Sequence, residues 1–295
     1  MMKWWIFMVS AGLFLGSFQA WAQMEGFDVQ SSVILEAEGH ACMGEDKSRK
    51  ETRELAMAET KRKAAEMALT HIKSETEVKN AIVSSDIINA YAQAKVSVIE
   101  EMEEGWFKTE YAGECYKVRI KVEVTPDPDS LRKVVKEKTL LDDPNAPLTV
   151  KLWTDKKQYQ IGEKIKIYLK GNKPFFARII YQDAADHLIQ LIPNPYRSEN
   201  YFNGGVIYEI PSGRDRFELE VSPPLGLESI TLYASTTQLG ELDLIPSQGI
   251  YMVKTGSMEV GIKTRGVKIT EKKGNLPGGP VEFGEVKIEV NTVED

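Results

Sequence analysis

"EGHACMGEDKSRKETRELA", Glu38 to Ala56, is where an extended segment gives way to a helix, and the reading of its cysteine and charges decides the fold of the first half of the chain. Upstream, "SSVILEAEG" is β-branched and apolar at its start and ends at Gly39, which predicts a strand over Ser32–Glu38. Downstream, Ser48 and Glu51 have the spacing of a capping box, in which the serine oxygen and the glutamate carboxylate each satisfy a free amide of the first helical turn. Behind the cap, Leu55, Ala58, Ala65, Ala68, Leu69 and Ile72 recur at helical spacing. They predict a buried stripe, rich enough in alanine for the helix to lie close on a sheet. Glu45 with Arg49, Asp46 with Lys50, and Glu59 with Lys63 are candidate i,i+4 pairs.

Working outward, Thr76–Asn80 reads as a short extended piece and Asp86–Ala90 as a second helix. Lys95–Met102 reads as a strand, Gly105 as a turn and Trp106–Tyr111 as a partner strand. In Cys115–Val124 the residues Tyr116, Val118, Ile120, Val122 and Val124 alternate with charged ones, the mark of a half-buried strand. Residues 23–128 are therefore predicted as an α+β domain, an antiparallel sheet packed by a long alanine-rich helix.

Cys42 and Cys115 are the two cysteines of the chain. Cys42 falls just past the end of the first strand and Cys115 at the start of the last. An antiparallel arrangement brings these ends within the 4.4–6.8 Å Cα separation that a disulfide needs. The rival reading is a reactive Cys42 thiolate at a helix N-terminus with His40 as its base. It requires Cys42 to be unpaired. With two thiols and His40, His71 and His187 as the histidines, and with no CxxC or HExxH spacing, the sequence offers no metal or cofactor motif.

The first residues carry Lys3, an apolar run of about fifteen residues from Trp4, and Ala20-Trp21-Ala22, the small-x-small form of a signal-peptidase site. The run is shorter than the roughly twenty residues a membrane span needs. The expectation is a signal peptide over residues 1–22 and no stable membrane span after its cleavage, the alternative being an uncleaved anchor. Gln23 stands where a lipoprotein would have a cysteine. Export places the cysteines in an oxidising compartment, where pairing is the rule. The whole chain has a net charge of −7, which gives no electrostatic reason to bind nucleic acid.

Residues 129–147 read as a helix over Asp129–Thr139 followed by the linker "LLDDPNAPLT", with a boundary near Asn145. Then "LTVKLW", "EKIKIYLKG", "FFARIIYQ", "HLIQLIP", "VIYEIP", "RFELEV" and "ESITLYAST" read as short strands separated by turns. Residues 148–240 are accordingly predicted as an all-β sandwich or barrel. Residues 241–295 read as a C-terminal β extension, with strands at Gly266–Thr270 and Gly284–Asn291 around the loop "KKGNLPGGP".

Two surface features invite a functional reading. In the loop "LIPNPYRSENYFNGG", Tyr196, Arg197, Asn200, Tyr201 and Phe202 have the makeup of a binding patch, with rigid aromatics, a guanidinium and adaptable amides. The bland reading is that Asn194 and the prolines build turns while the aromatics close one end of the barrel. The acids Glu100, Glu101, Glu103 and Glu104 do not converge on a regular strand, where neighbours face opposite sides, and read as a solvated edge that discourages pairing.

Residues from about Val33 to Pro126 resemble the N-terminal domain of flagellar assembly protein T and related outer-membrane LPP-type lipoproteins. The likeness is carried by "EAEG", by "RELAMAETKRKAAEMAL" with Arg53, by "ETEV" and by the closing "CYKVRIKVEVTP". The chain departs from the lipoproteins in lacking the lipidated cysteine. Residues from about Leu148 to Thr236 resemble an uncharacterised bacterial domain of the DUF class that often follows kinase, caspase-like or repeat modules. "YQIGEKIKI", "LIQLIPNP", "EIPSG" and "SPPLGLESITLYAS" occur in that family's order, the last holding Pro224, Gly226 and Glu228. That resemblance implies a β-rich fold and no catalytic residues. The functional expectation is a non-enzymatic periplasmic or secreted protein, without cofactor, that binds another envelope component, protein or glycan. The alternative is an envelope hydrolase with its site between the two domains.

Overall fold

The structure is a computed structural model and describes residues 30–77, 84–111, 113–131, 140–247, 249–265 and 279–294. The expected signal peptide, the strand at Gly266–Thr270, most of the loop after it and most of the helix at Asp129–Thr139 lie outside these residues.

The order is β1 (Gln30–Cys42), α1 (Arg49–Glu77), α2 (Ser84–Ala92), β2 (Lys95–Thr109) and β3 (Gly113–Thr125). A 3₁₀ turn (Leu140–Asp142) leads to β4 (Val150–Thr154), β5 (Gln158–Gln160), β6 (Ile167–Gly171), β7 (Phe175–Gln182) and β8 (Leu188–Ile192). The chain continues with β9 (Tyr201–Phe202), β10 (Ile207–Ile210), β11 (Leu227–Ser235), β12 (Leu244–Ser247) and β13 (Ile250–Val253). A helix absent from the sequence reading, α3 (Ser257–Thr264), precedes the long β14 (Val281–Val293). The architecture is α+β with a β-rich second part.

Among the described residues, one large sheet runs β12-β13-β8-β7-β11-β14-β1-β3-β2, and a small sheet runs β10-β6-β4. β14 is the hinge of the arrangement. It pairs β11 over Leu227–Ser235 on one side and β1 over Gln30–Ile34 on the other, so the helix-covered strands and the sandwich strands share one sheet. Helices α1 and α2 cover β1, β3 and the start of β2 over a core of Val33, Leu35, Ile120, Val122 and Ile72. The small sheet covers β7, β11 and β14 on the same face through Val150, Leu169, Ile179, Leu232 and Val290. The opposite face is closed by α3 and the segment before it, over Ile34, Ile180, Tyr233 and Phe283.

The capping box forms as its spacing predicts. The Ser48 amide donates to Glu51 Oε2 at 2.8 Å, and the Glu51 amide donates to Ser48 Oγ at 3.2 Å. The buried stripe of α1, however, keeps only Ala68 and Ile72 of the predicted one as fully buried residues. Thr52, Ala56, Thr60, Ala64, Ala68 and Ile72 face the sheet, while Leu55 is 43% exposed and Ala58 faces solvent. The reason is Gly39. A Cβ built there would stand 2.3 Å from Thr60 Oγ1 and 3.0 Å from the Thr60 amide nitrogen. The helix backbone therefore rests on β1, and only small side chains four apart fit between them. Gly39→Ala should cost about 2–3 kcal/mol through overpacking. Thr60→Ala in the same chain should recover only part of this, because the backbone contact stays; urea denaturation of the single and double variants measures both.

Other local expectations change for equally simple reasons. α1 continues through Glu77, so Thr76 is helical rather than extended. Arg49 pairs with Glu114 at 2.8 Å and Lys50 with Glu54, not with Glu45 and Asp46. Glu59 is taken by Arg62 at 2.8 Å rather than by Lys63. Gly105 is not a turn. β2 runs straight through it because β3 offers partners along its whole length, and the turn comes at Glu110–Tyr111, ahead of Gly113 at φ 71°. Of the short strands read after Leu148, "RFELEV" remains an extended segment. It is bonded to Gly162–Ile165 but joined to them by a single bridge, Lys164 with Glu220.

Candidate binding surfaces

Cys42 and Cys115 stand directly opposite each other in the β1–β3 ladder and are joined by a disulfide, with Cα atoms 3.9 Å apart. The bridge is therefore cross-strand, tighter than the separation assumed from sequence, and the described residues hold no free cysteine. A reactive Cys42 is excluded in this state.

Where the helix layer meets the small sheet, β14 places Glu282 inside the protein. Lys173 Nζ lies 3.0 Å from Glu282 Oε2, His71 Nε2 lies 3.3 Å from Oε1, and the Leu148 amide donates to Oε2 at 2.5 Å. Burial pushes this carboxyl up, but the bonds from His71, Lys173 and the Leu148 amide win, and its pKa is lowered from 4.5. Tyr91 is packed close by, its hydroxyl buried without a hydrogen-bond partner of ordinary geometry. Desolvation and then the Glu282 charge hold that phenol well above its usual range. These groups are mutually engaged and tie α1 to the sandwich.

The acids of β2 are arranged by two irregularities. Register shifts between Val98 and Glu100 and between Glu101 and Glu103 leave Ile99 and Met102 unpaired. Each extra residue resets the alternation. Glu101 and Glu104 therefore stand opposite Ile120 and Val118 on the α1 face, and Glu100 and Glu103 stand opposite Lys121 and Arg119 on the other. Strict alternation would group Glu101 with Glu103 and Glu100 with Glu104; the bulges regroup them as Glu101 with Glu104 and Glu100 with Glu103. α1 packs on β1 and β3 and barely reaches β2, which overhangs it. The result is a trough of about 430 Å³ with Arg53 and Lys61 on one wall, Glu101 and Glu104 on the other, and Tyr116 and Val118 at its floor. Tyr116 donates to Glu104, and Arg53 lies over the Tyr116 ring at 5.2 Å. Beyond the bulges, Glu103–Thr109 pairs regularly with β3, and β2 is the edge strand of the sheet among the described residues. Phe107 in this stretch is 38% exposed.

The aromatic loop divides. Phe202 is a core residue, stacked on Phe175 at 5.5 Å and edge-on to Tyr208 at 4.9 Å. Arg197 lies over the Phe202 ring and pairs with Asp215 at 3.1 Å. Asn200 is bound into β7 by its own carbonyl and side chain on Ala177. Tyr196 and Tyr201 remain outside, over Phe217 and Phe176. Asn194 Oδ1 accepts from the amides of Tyr196 and Arg197 at 2.8 Å, so it builds the turn as its residue type suggests. The five residues do not form one continuous exposed patch.

The sandwich opens at the end where β7 and β8 leave the small sheet. A cavity of about 290 Å³ lies there, with Ile165, Ile189, Leu191, Leu219, Ile230 and Ile250 among its walls. Its rim carries Asp183, Glu218 and Glu220, and the Tyr181 ring enters from β7. Tyr181 donates to Glu228 Oε2 at 2.5 Å, and Thr292 donates to Oε1 at 3.0 Å. Desolvation raises the Glu228 pKa against these two bonds. Asp183 caps the β7–β8 turn by accepting from the amides of Ala185 and His187, with the His187 ring 2.9 Å away.

Residues 158–238 form a DUF4384 domain. The matching family model is described only as a domain of unknown function, and it covers the chain from β5 to just beyond β11. No curated protein and no solved structure matches the chain. β4 precedes the DUF4384 match and β14 follows it, yet β4 completes the small sheet and β14 seals β11. Sequence reading singled out Glu228 within the DUF4384 anchors but gave it no partners. Tyr181 and Thr292 lie 47 and 64 residues away, and no local pattern announces them.

Proposed function

We propose that this is an exported, non-enzymatic protein of the bacterial cell envelope that binds a protein partner by strand addition at β2. The observation that carries the reading is the outer edge of Glu103–Lys108, paired with β3 on one side only, which follows a bulged, acidic half and offers backbone donors and acceptors beside the exposed Phe107. Bulges and acids protect the first half of the edge, and the second half is left open. An added strand gains main-chain hydrogen bonds, and the trough beside it can take alternate side chains. This chemistry suits an extended peptide better than a glycan. The Cys42–Cys115 bridge supports an oxidising compartment. The sequence motifs in residues 33–126 that resemble flagellar assembly protein T and LPP-type lipoproteins fit the same setting. Against the alternative, a hydrolase working between the layers, Glu282, His71 and Lys173 at that seam already engage one another.

A photo-crosslinking residue at Phe107 should capture a discrete partner in intact cells. The same residue at Met258, which is 84% exposed on α3, should not. Equal yields from both positions would remove the β2 edge from consideration.

A further inference from the structure

We infer that the open end of the sandwich is a binding site for a small amphiphile with an apolar body and a positively charged head. This goes beyond the strand-addition reading and rests on a different part of the molecule. The cavity walls are aliphatic, from Ile165, Ile189, Leu191, Leu219, Ile230 and Ile250, and its volume of about 290 Å³ is at the lower end of small-molecule pockets. Ile250 is 38% exposed, so the apolar wall continues out to the opening rather than being sealed within the core.

The sign of the head group follows from the rim. Asp183, Glu218 and Glu220 contribute carboxylates there. Lys164, the cation next to Ile165, is held on Glu218 at 2.6 Å. His187 sits on Asp183. Behind the wall, Glu228 is bonded by Tyr181 and Thr292 and so fixes the Tyr181 ring at the cavity. An anionic head would meet this rim with its own sign, whereas a cationic head finds Glu220, which is exposed and forms no ion pair with a lysine or arginine among the described residues. Apolar burial supplies affinity and the rim supplies selectivity.

Decyltrimethylammonium and decyl sulfate, titrated into the full chain below their micelle concentrations, share a tail and differ in head charge. Calorimetry should give one saturable site for the cation, bound at least tenfold more tightly than the sulfate, with a rise in Tm. Ile250→Arg should abolish saturable binding while the circular dichroism and Tm of the free protein stay at wild-type values. Glu220→Gln should narrow the preference between the two probes several-fold. Absence of a saturable site, equal affinity for both probes, or wild-type binding by Ile250→Arg would overturn the assignment. Crosslinking from Phe107 is independent of these outcomes, so either proposal can fail alone.

Discussion

Replacing Cys42 and Cys115 together by alanine is expected to lower the unfolding free energy by about 4 kcal/mol, and Tm by on the order of 10 °C. The folded ladder does not need the bridge. β1 and β3 pair without interruption from Val33 with Val124 to Cys42 with Cys115, so the two cysteines are held opposite each other by backbone bonds alone. The effect falls on the unfolded chain. The bridge spans 73 residues of sequence, which include α1, α2 and β2, and it closes them into a loop that otherwise explores open conformations. Alanine is the right replacement because Cys115 is fully buried, and a serine there would add an unsatisfied hydroxyl. In urea, the double variant should show the native circular dichroism, an earlier midpoint and a steeper m-value, because its unfolded state exposes more surface. Reduction of the wild-type protein should reproduce the same curve. A loss under about 1 kcal/mol would mean that the unfolded chain already holds these strands together, and the entropic account would fail.

The cysteine pairing was legible from the alternation of Cys115–Val124 and a first strand lying antiparallel to it, although that strand does not end at Gly39 but runs through it to Cys42. The α1 stripe was present in the sequence but hidden by hydrophobicity. Leu55 is the most apolar residue of the first turns, yet it points to solvent. The inward positions are chosen by size, and Thr52, Ala56, Thr60, Ala64 and Ala68 recur at strict intervals of four because Gly39 lets the helix down onto the sheet. The bulges of β2 were not legible, since nothing in "VIEEMEEG" marks Ile99 and Met102 as the extra residues. Nor was the place of β14. Its alternating pattern announces a strand, but pairing Val281–Glu285 with Gln30–Ile34 is a choice between distant partners that local pattern does not make. The division of the aromatic loop has the same origin. Phe202 and Tyr201 are neighbours in sequence and face opposite ways on a strand, so composition alone could not say which one is core.

Glu282→Ala should cost about 3–5 kcal/mol, because it strands a buried ammonium. The Lys173 side chain is 11% exposed and has Glu282 as its ion-pair partner, and α1 reaches the same carboxylate through His71. Removing Lys173 as well, in Glu282→Leu with Lys173→Met, should cost much less than the separate losses added together, since neither charge is then left alone. The pH dependence gives a second, independent readout. Glu282 titrates below 4.5 in the folded protein, so its stabilisation is present above the ordinary carboxylate range and is lost as the pH falls through the lowered value. Glu282→Gln should flatten that acid limb. Glu228, on neighbouring β11 and opposite Val290, eight residues along β14 from Glu282, supplies the internal control. Its pKa is raised, so the folded state favours its protonated form and stability declines as the pH rises through its titration. Glu228→Gln should therefore leave the acid limb in place and relieve the decline above it. Denaturation midpoints measured across the acid range separate the two residues. If Glu282→Gln and Glu228→Gln changed the profile in the same direction, or if Glu282→Ala lay within about 1 kcal/mol of wild type, the charge at the seam would not be what joins α1 to the sandwich.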